Sequence, residues 1–316
     1  MKRWKRVICA GLVLGSCMFL ASCGAPAREG LANEFFAMDT GTIDADHKTA
    51  KAQAEMVKEL GYAGIAYWEG NPKRGDYDLR EMLRELDRNG LKIWPLYVGV
   101  WLDKGKARYE ESLPEAIEQL RGRDAMVWLH IMSKEYEKSS PEGDERAVEI
   151  IREVADMGEE AGVRVALYPH VNEWLERHDD ALRVVEKVGK GNVGLSFNLV
   201  HRLLIEGEEG IDEQLGRLRP YLFTVTINGS SKTGSIETLD SGEFDVYKLL
   251  STLKGLGYDG PVGLQGWGIK GDVRENLARS MAAWRKFSGR MAAEEKLGQS
   301  LRDRTRRRRP GRTYRY

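Results

Sequence analysis

Three imidazoles and a cysteine carry the chemistry that is easiest to read in this chain of 316 residues. Its five histidines are His47, His130, His170, His178 and His201. His130, His170 and His201 stand at or just past the ends of short apolar runs, whereas His47 and His178 sit in helix-like stretches and read as surface residues. An imidazole titrates close to neutral pH, so it can take a proton from carbon without a large shift in its affinity. Three of them together could also hold Zn²⁺ or Mn²⁺, and His130, His170 and His201 are the candidates for such a metal site. No other cofactor is called for. Tryptophans gather at the same kind of position: Trp68, Trp101, Trp174 and Trp267. Their faces can pack against the C–H surfaces of sugars. The three cysteines are Cys9, Cys17 and Cys23, all within the first 23 residues. If Cys23 is modified, no thiol remains for nucleophilic catalysis or disulfides.

The elements that must position these groups alternate along the chain. Apolar runs of strand length occur at Phe35–Met38, Ala63–Tyr67, Leu91–Val98, Ala125–Ile131, Val163–Leu167, Val193–Phe197, Leu222–Ile227 and Val262–Leu264. Helical periodicity lies between them. Leu79, Met82, Leu83 and Leu86 share one face, as do Ala147, Ile150, Ile151 and Val154, and Val246, Leu249, Leu250 and Leu253. Gly61, Gly90, Gly162 and Gly257 each close a helical pattern and precede a strand, as left-handed C-caps do. Eight strand–helix units predict an α/β fold, a single (β/α)8 TIM barrel over residues 33–287. A doubly wound sheet would want a Gly-rich phosphate turn after an early strand, and the first strand runs instead into Asp39-Thr40-Gly41-Thr42. In a barrel the active site lies where strands end. The strand-terminal residues are Asp39, Trp68, Glu69, Trp101, Asp103, His130, Tyr168, His170, Asn198, His201, Asn228, Gln265, Trp267 and Lys270.

The stretches VALYPH, VGLSFNLVH, VTINGS and GYDGPVGLQGWGIKGD resemble the xylose isomerase-like barrel superfamily, the sugar phosphate isomerase/epimerase group, which shares its fold with endonuclease IV-type barrels. The resemblance covers roughly residues 33–287. It implies a divalent metal held by Glu, Asp, His and Glu after strands five to eight, with the two glutamates exchanging a proton beside a carbonyl. This chain has Tyr168 or His170, Asn198, Asn228 and Gln265 there. Each is neutral at pH 7, and a hard dication wants anionic oxygen. A base must then come from His170, His201 or Glu69. Tyr168, Asn198, Asn228 and Gln265, with Trp68, Trp267 and Lys270, suit a sugar and its hydroxyls. The expected activity is isomerisation or epimerisation of a non-phosphorylated sugar or keto-sugar, or elimination from a keto-glycoside. The alternative is a carbohydrate-binding protein without turnover.

The N-terminus supplies an address. Lys2, Arg3, Lys5 and Arg6 precede an apolar run from Val7 to Ala21, too short for a comfortable membrane span and suited to a cleavable signal. The run ends in Leu20-Ala21-Ser22-Cys23, which resembles a bacterial lipobox. The expected layout is a signal peptide over 1–22, lipidation at Cys23, a tether over 23–32, the barrel, and a basic disordered tail over 288–316. Gly24 after the cysteine favours the outer over the inner membrane of the envelope. Setting aside the four leader cations, and the ten Lys/Arg and three acids beyond Phe287, leaves 35 basic against 46 acidic residues. So acidic a body opposes nucleic-acid binding. The expected partners are a small sugar and a membrane.

Overall fold

In the computed structural model the described residues are 30–105, 108–231 and 234–307. The leader, Cys23 and residues 308–316 therefore lie outside the described residues. Eight parallel strands close into a barrel: β1 (Phe35–Met38), β2 (Gly64–Trp68), β3 (Lys92–Trp101), β4 (Met126–Met132), β5 (Arg164–Leu167), β6 (Val193–Asn198), β7 (Leu222–Ile227) and β10 (Val262–Leu264). A hairpin of two two-residue strands, β8 (Gly229–Ser230) and β9 (Ile236–Glu237), interrupts the loop after β7. Around the ring the order is β1-β10-β7-β6-β5-β4-β3-β2. The closed ring excludes the doubly wound alternative.

The helices are α1 (Ala50–Leu60), α2 (Leu79–Arg88), α3 (Leu113–Gln119), α4 (Asp144–Ala161), α5 (His178–Val188), α6 (Leu199–Glu206), α7 (Ile211–Leu218), α8 (Val246–Gly255) and α9 (Val273–Arg307). Their apolar faces are the ones their periodicity marks. Met82 and Leu86 of α2, and Ile150, Ile151 and Val154 of α4, are all buried against the strands. At the end of α4, Gly162 has φ 72° and its N–H returns to the Gly158 and Glu159 carbonyls, a conformation that costs glycine little.

Side-chain alternation along each strand divides the core in two. Outward residues pack under the helices. Inward residues form a separate cluster of Phe36, Met38, Ala66, Trp94, Met126, Trp128, Ala166 and Tyr168. Trp128 Nε1 donates to Thr224 Oγ1 at 2.9 Å across this interior. A Cβ on Gly263 would stand 2.4 Å from Phe36 Cζ, so the large ring on β1 requires the missing side chain on β10. The same alternation carries the interior face upward to the strand ends, through Met126, Trp128 and His130 on β4, and through Ala166, Tyr168 and His170 at β5.

The tail departs from its expected disorder. Helix α9 runs without a break from the barrel to Arg307, through most of the segment expected to be a tail. Met291 is buried, and the Arg290 guanidinium lies 3.7 Å from the Tyr247 ring centroid. Glu295 pairs with Lys254 at 2.7 Å and accepts from Gly30 N at 3.1 Å. An apolar residue at 291 and acids at 294 and 295 gave this stretch the means to pack. Among the described residues no helix is long and apolar enough to cross a membrane.

Candidate active site

At the strand-end face of the barrel a cavity of about 680 Å³ opens above the inward cluster. Met38, Ala66, Trp128 and Tyr168 line it from the inward cluster. Asp39, Tyr97, His130, His170, Glu173, His201 and Gln265 form its polar wall, and Trp68, Trp267, Leu204 and Ile236 also line it.

The three imidazoles do come together. The His170 and His201 ring centroids are 4.2 Å apart, and those of His130 and His170 are 6.3 Å apart. Their hydrogen bonds assign their protons. His130 Nδ1 meets Glu173 Oε1 at 2.8 Å, and His170 Nδ1 meets the Val171 carbonyl at 2.8 Å. A carboxylate and a carbonyl only accept, so both Nδ1 atoms donate, and in a neutral ring the lone pair is then on Nε2. His201 is the reverse. Its Nδ1 accepts a long 3.5 Å bond from Val171 N, which leaves the proton on Nε2, an atom with no hydrogen-bond partner among the described residues. Burial pushes His170 below the ordinary imidazole range, with Glu173 pulling it back up. Burial, then the neighbouring His170 and His178, pushes His201 well below it. Both rings are neutral at pH 7. His130 is held flat against Tyr97, with centroids 4.3 Å apart and planes 2° apart.

Across the ring stands Asp39, only 2 % exposed. Its Oδ2 accepts from Trp68 N at 2.8 Å. Burial raises its pKa from 3.8 to about 7, against the Trp68 N–H, the Asn71 side chain and the Arg74 charge, which lower it. β1 and β5 are four places apart in either direction round the ring, so Asp39 and His170 enter from opposite sides. The cavity thus offers a neutral base on one wall and a carboxyl poised near neutrality on the other.

Several expected site residues lie elsewhere. Glu69 is turned to Ser112, whose hydroxyl donates to it at 2.8 Å, and is not among the residues lining the cavity. Asn198 is fully buried in the wall. Its amide donates to the Pro169 carbonyl, and its oxygen accepts from Thr226 and Ser196, so it ties the loop after β5 to β6 and β7. Asn228 is also buried and donates to the Gly229 carbonyl. Lys270 is exposed and is not among the residues lining the cavity. Trp101 does not line the cavity, and Trp174 is buried in the outer core. His178 is fully buried instead of superficial, its Nε2 accepting from Asn198 N at 3.0 Å. Tyr168, Gln265, Trp68 and Trp267 do line the cavity. Asp39 and Glu173 were not expected as site residues. Asp39 was visible as a strand-terminal acid, and Glu173 follows His170 at a three-residue spacing.

The residues present do not fit the metal that the fold suggests. Among the described residues no three His, Cys, Asp or Glu are arranged to hold an ion. For the trio of His130, His170 and His201 the obstacle is His201: the first two rings donate through Nδ1 and leave Nε2 open, as metal-bound histidines do, but the His201 Nδ1 accepts from Val171 N, which leaves a proton on its Nε2. Of the four positions at which the resemblance implies ligands, Asn198 and Asn228 are buried in hydrogen bonds within the protein, while Tyr168 or His170 and Gln265 face the cavity with neutral side chains.

The family model for the xylose isomerase-like TIM barrel matches residues 54–287. This chain belongs to that family. Among solved structures its fold is similar to an L-ribulose 3-epimerase (TM-score 0.68, 14 % identity, covering 84 % of this chain and 97 % of that one). It is also similar to the 3-keto-D-glucoside 4-epimerase YcjR from E. coli in its apo form (0.63, 16 %, 80 % and 99 %). A third is the IolI protein with a bound zinc atom (0.61, 17 %, 83 % and 98 %). Identities this low speak for the shared fold alone. No curated protein sequence matches significantly.

Proposed function

We propose that this member of the family is an isomerase or epimerase of a non-phosphorylated sugar or keto-sugar that moves a proton beside a carbonyl. The observation that carries this reading is the pair of acid–base groups facing each other across one cavity. The His170 Nε2 lone pair takes the proton from the carbon next to the carbonyl, the C–H electron pair moves to form an enediolate, and the charge gathers on the carbonyl oxygen. The His201 Nε2–H, which has no hydrogen-bond partner among the described residues, donates to that oxygen. Asp39, half protonated near pH 7, returns a proton to the opposite face of the carbon, which inverts it. His130, oriented by Glu173, is a second base on the His170 side. The similar folds of an L-ribulose epimerase and a 3-keto-D-glucoside epimerase support the reaction class. No Lys or Arg appears among the described lining residues, which favours an uncharged sugar over a phosphate.

The decisive experiment is proton exchange with solvent. Ketoses and 3-keto-glycosides incubated with the protein in D₂O should gain deuterium beside the carbonyl, read by NMR. Exchange should survive dialysis against a chelator, and His170→Ala should lower it by about two orders of magnitude or more. Loss on chelation would show that the imidazoles take a metal after all. Sugar binding with no exchange would favour the second reading, a carbohydrate-binding protein, which the neutral residues at the family's ligand positions also support.

The proposed setting is the bacterial envelope, outer membrane preferred, with the barrel tethered by lipid at Cys23. The support is the leader and its Leu20–Cys23 motif. Cys23→Ala should move the protein from washed membranes to the soluble fraction, since lipid chains supply about 0.8 kcal/mol per buried CH₂. A variant that still pellets would rule out this anchor.

A further inference from the structure

Among the described residues three large hydrophobic side chains are exposed: Leu204, Trp267 and Leu297. Two of the three, Leu204 at 45 % and Trp267 at 46 %, line the cavity that holds the imidazoles and Asp39. Single exposed apolar residues are ordinary, but two converging on the mouth of a cavity mark a surface that a ligand covers.

The rim around Trp267 is built, not loose. Its backbone N–H donates to Gln265 Oε1 at 3.0 Å, and the same oxygen accepts from Thr40 Oγ1 at 3.2 Å. Gln265 itself lines the cavity, so the rim indole is held in register with the wall below it. Gly266 and Gly41 approach so closely that a Cβ on either would lie 2.9 Å from the other's Cα, which locks the loop after β10 to the loop after β1. Trp68 stands beside it, with centroids 6.4 Å apart at 55°, and the Lys73 ammonium lies 5.8 Å from the Trp267 ring. The acid–base groups are on other residues. Asp39, His130, His170 and His201 are all nearly or largely buried, whereas Trp267 stands out toward solvent.

From this layering we infer that the substrate has two rings: a glycoside whose reacting sugar lies among Asp39 and the imidazoles, while the group attached to it stacks on the Trp267 and Trp68 rim beside Leu204. A single free monosaccharide would occupy the depth and leave the indole wet. Aromatic faces suit the C–H face of a second sugar or an aryl group equally, so the shared chemistry is a flat apolar ring face in glycosidic linkage.

This inference rests on the proposed proton-transfer reading, and the test separates the two. Exchange rates in D₂O are compared for a 3-keto disaccharide and the matching methyl 3-keto-glycoside, as a ratio of kcat/KM. The ratio should be about tenfold in favour of the disaccharide. It should fall toward one in Trp267→Ala and be partly kept in Trp267→Phe, which retains a ring. Because Trp267 is half exposed, both variants are expected to fold, and circular dichroism checks this. A ratio near one in the wild type, or one that Trp267→Ala does not change, overturns the inference. If no sugar exchanges at all, the proton-transfer reading has failed, and the same ratio is read as Kd by calorimetry with the unoxidised disaccharide and methyl glycoside. A ratio near one there, or no binding of either, overturns the two-ring substrate as well.

Discussion

Asp39 shows how burial sets both chemistry and stability at a single residue. In the unfolded chain its carboxyl ionises near 3.8, and in the folded chain near 7. The folded pKa is the higher of the two. The favourable contribution of the protonated form is therefore full below pH 3.8 and is lost as pH rises to about 7. The upper bound of that loss is about 4 kcal/mol. Asp39→Asn keeps an acceptor for the Trp68 N–H and removes the charge. The variant should show a flatter dependence of unfolding free energy on pH between about 4 and 7, and should be more stable than the wild type at about pH 8. Its proton-exchange activity should drop at least about a hundredfold. In the direction where His170 is the base, the wild-type rate should fall below the range where His170 protonates and fall again above about pH 7 as Asp39 loses its proton. The upper limb should vanish in Asp39→Asn. Unfolding titrations that superimpose for the two proteins would refute the buried, raised carboxyl. The sequence showed Asp39 only as a strand-terminal acid, because its partners Trp68, Asn71 and Arg74 come from the end of β2 and the loop after it. Asn198 was misread for the complementary reason. An amide at a strand end looks available to a ligand, yet here its partners are Pro169, Ser196 and Thr226.

At the scale of elements, the barrel was legible where a period or an apolar run spoke for it. The runs Phe35–Met38, Leu222–Ile227 and Val262–Leu264 are the strands residue for residue. β3 runs on to Trp101, three residues past the apolar run, because β4 pairs with it as far as Met132. That partner is invisible from within β3. The segment after β6 held more than one expected unit: Gly207 and Gly210, both at φ 75°, split it into α6 and α7. This split matters to the site. A short α6 begins directly at Asn198 and carries Val200, His201 and Leu204, which all line the cavity. The two-residue strands β8 and β9 have too few side chains to show a period, yet the latter supplies Ile236 to the cavity wall. Helix identity is therefore set by periodicity, while what reaches the mouth is set by where glycines and short pairings end an element.

On the scale of the whole molecule, the question is how far the folded body extends. Composition placed its end near Phe287, because arginines dominate the chain beyond that residue. The structure carries α9 on to Arg307 and fastens its first turns beyond Phe287 to two distant parts of the chain. Met291 is buried, Glu294 accepts from the Tyr247 hydroxyl at 2.7 Å, and Glu295 binds both Lys254 and Gly30 N. Ser288 Oγ accepts from Leu31 N at 3.0 Å, so the entering chain is clasped by the same helix. The surface ion pairs contribute little individually. The buried methionine contributes roughly 1.5–3 kcal/mol, and a domain of this size shifts its Tm by roughly 2–4 °C per kcal/mol. Deleting residues 290–316 should therefore lower Tm by roughly 3–12 °C. Deleting only 299–316, which spares Met291, Glu294 and Glu295, should move it by roughly 1 °C or less, as expected of changes away from packed features. Differential scanning calorimetry of the two truncations decides the matter. Equal small shifts would return the boundary to Phe287 and make residues 288–307 a helix that rests on nothing. A shift for the shorter deletion as large as that for the longer one would mean that the arginine-rich end itself packs on the barrel, against the self-repulsion its charge demands.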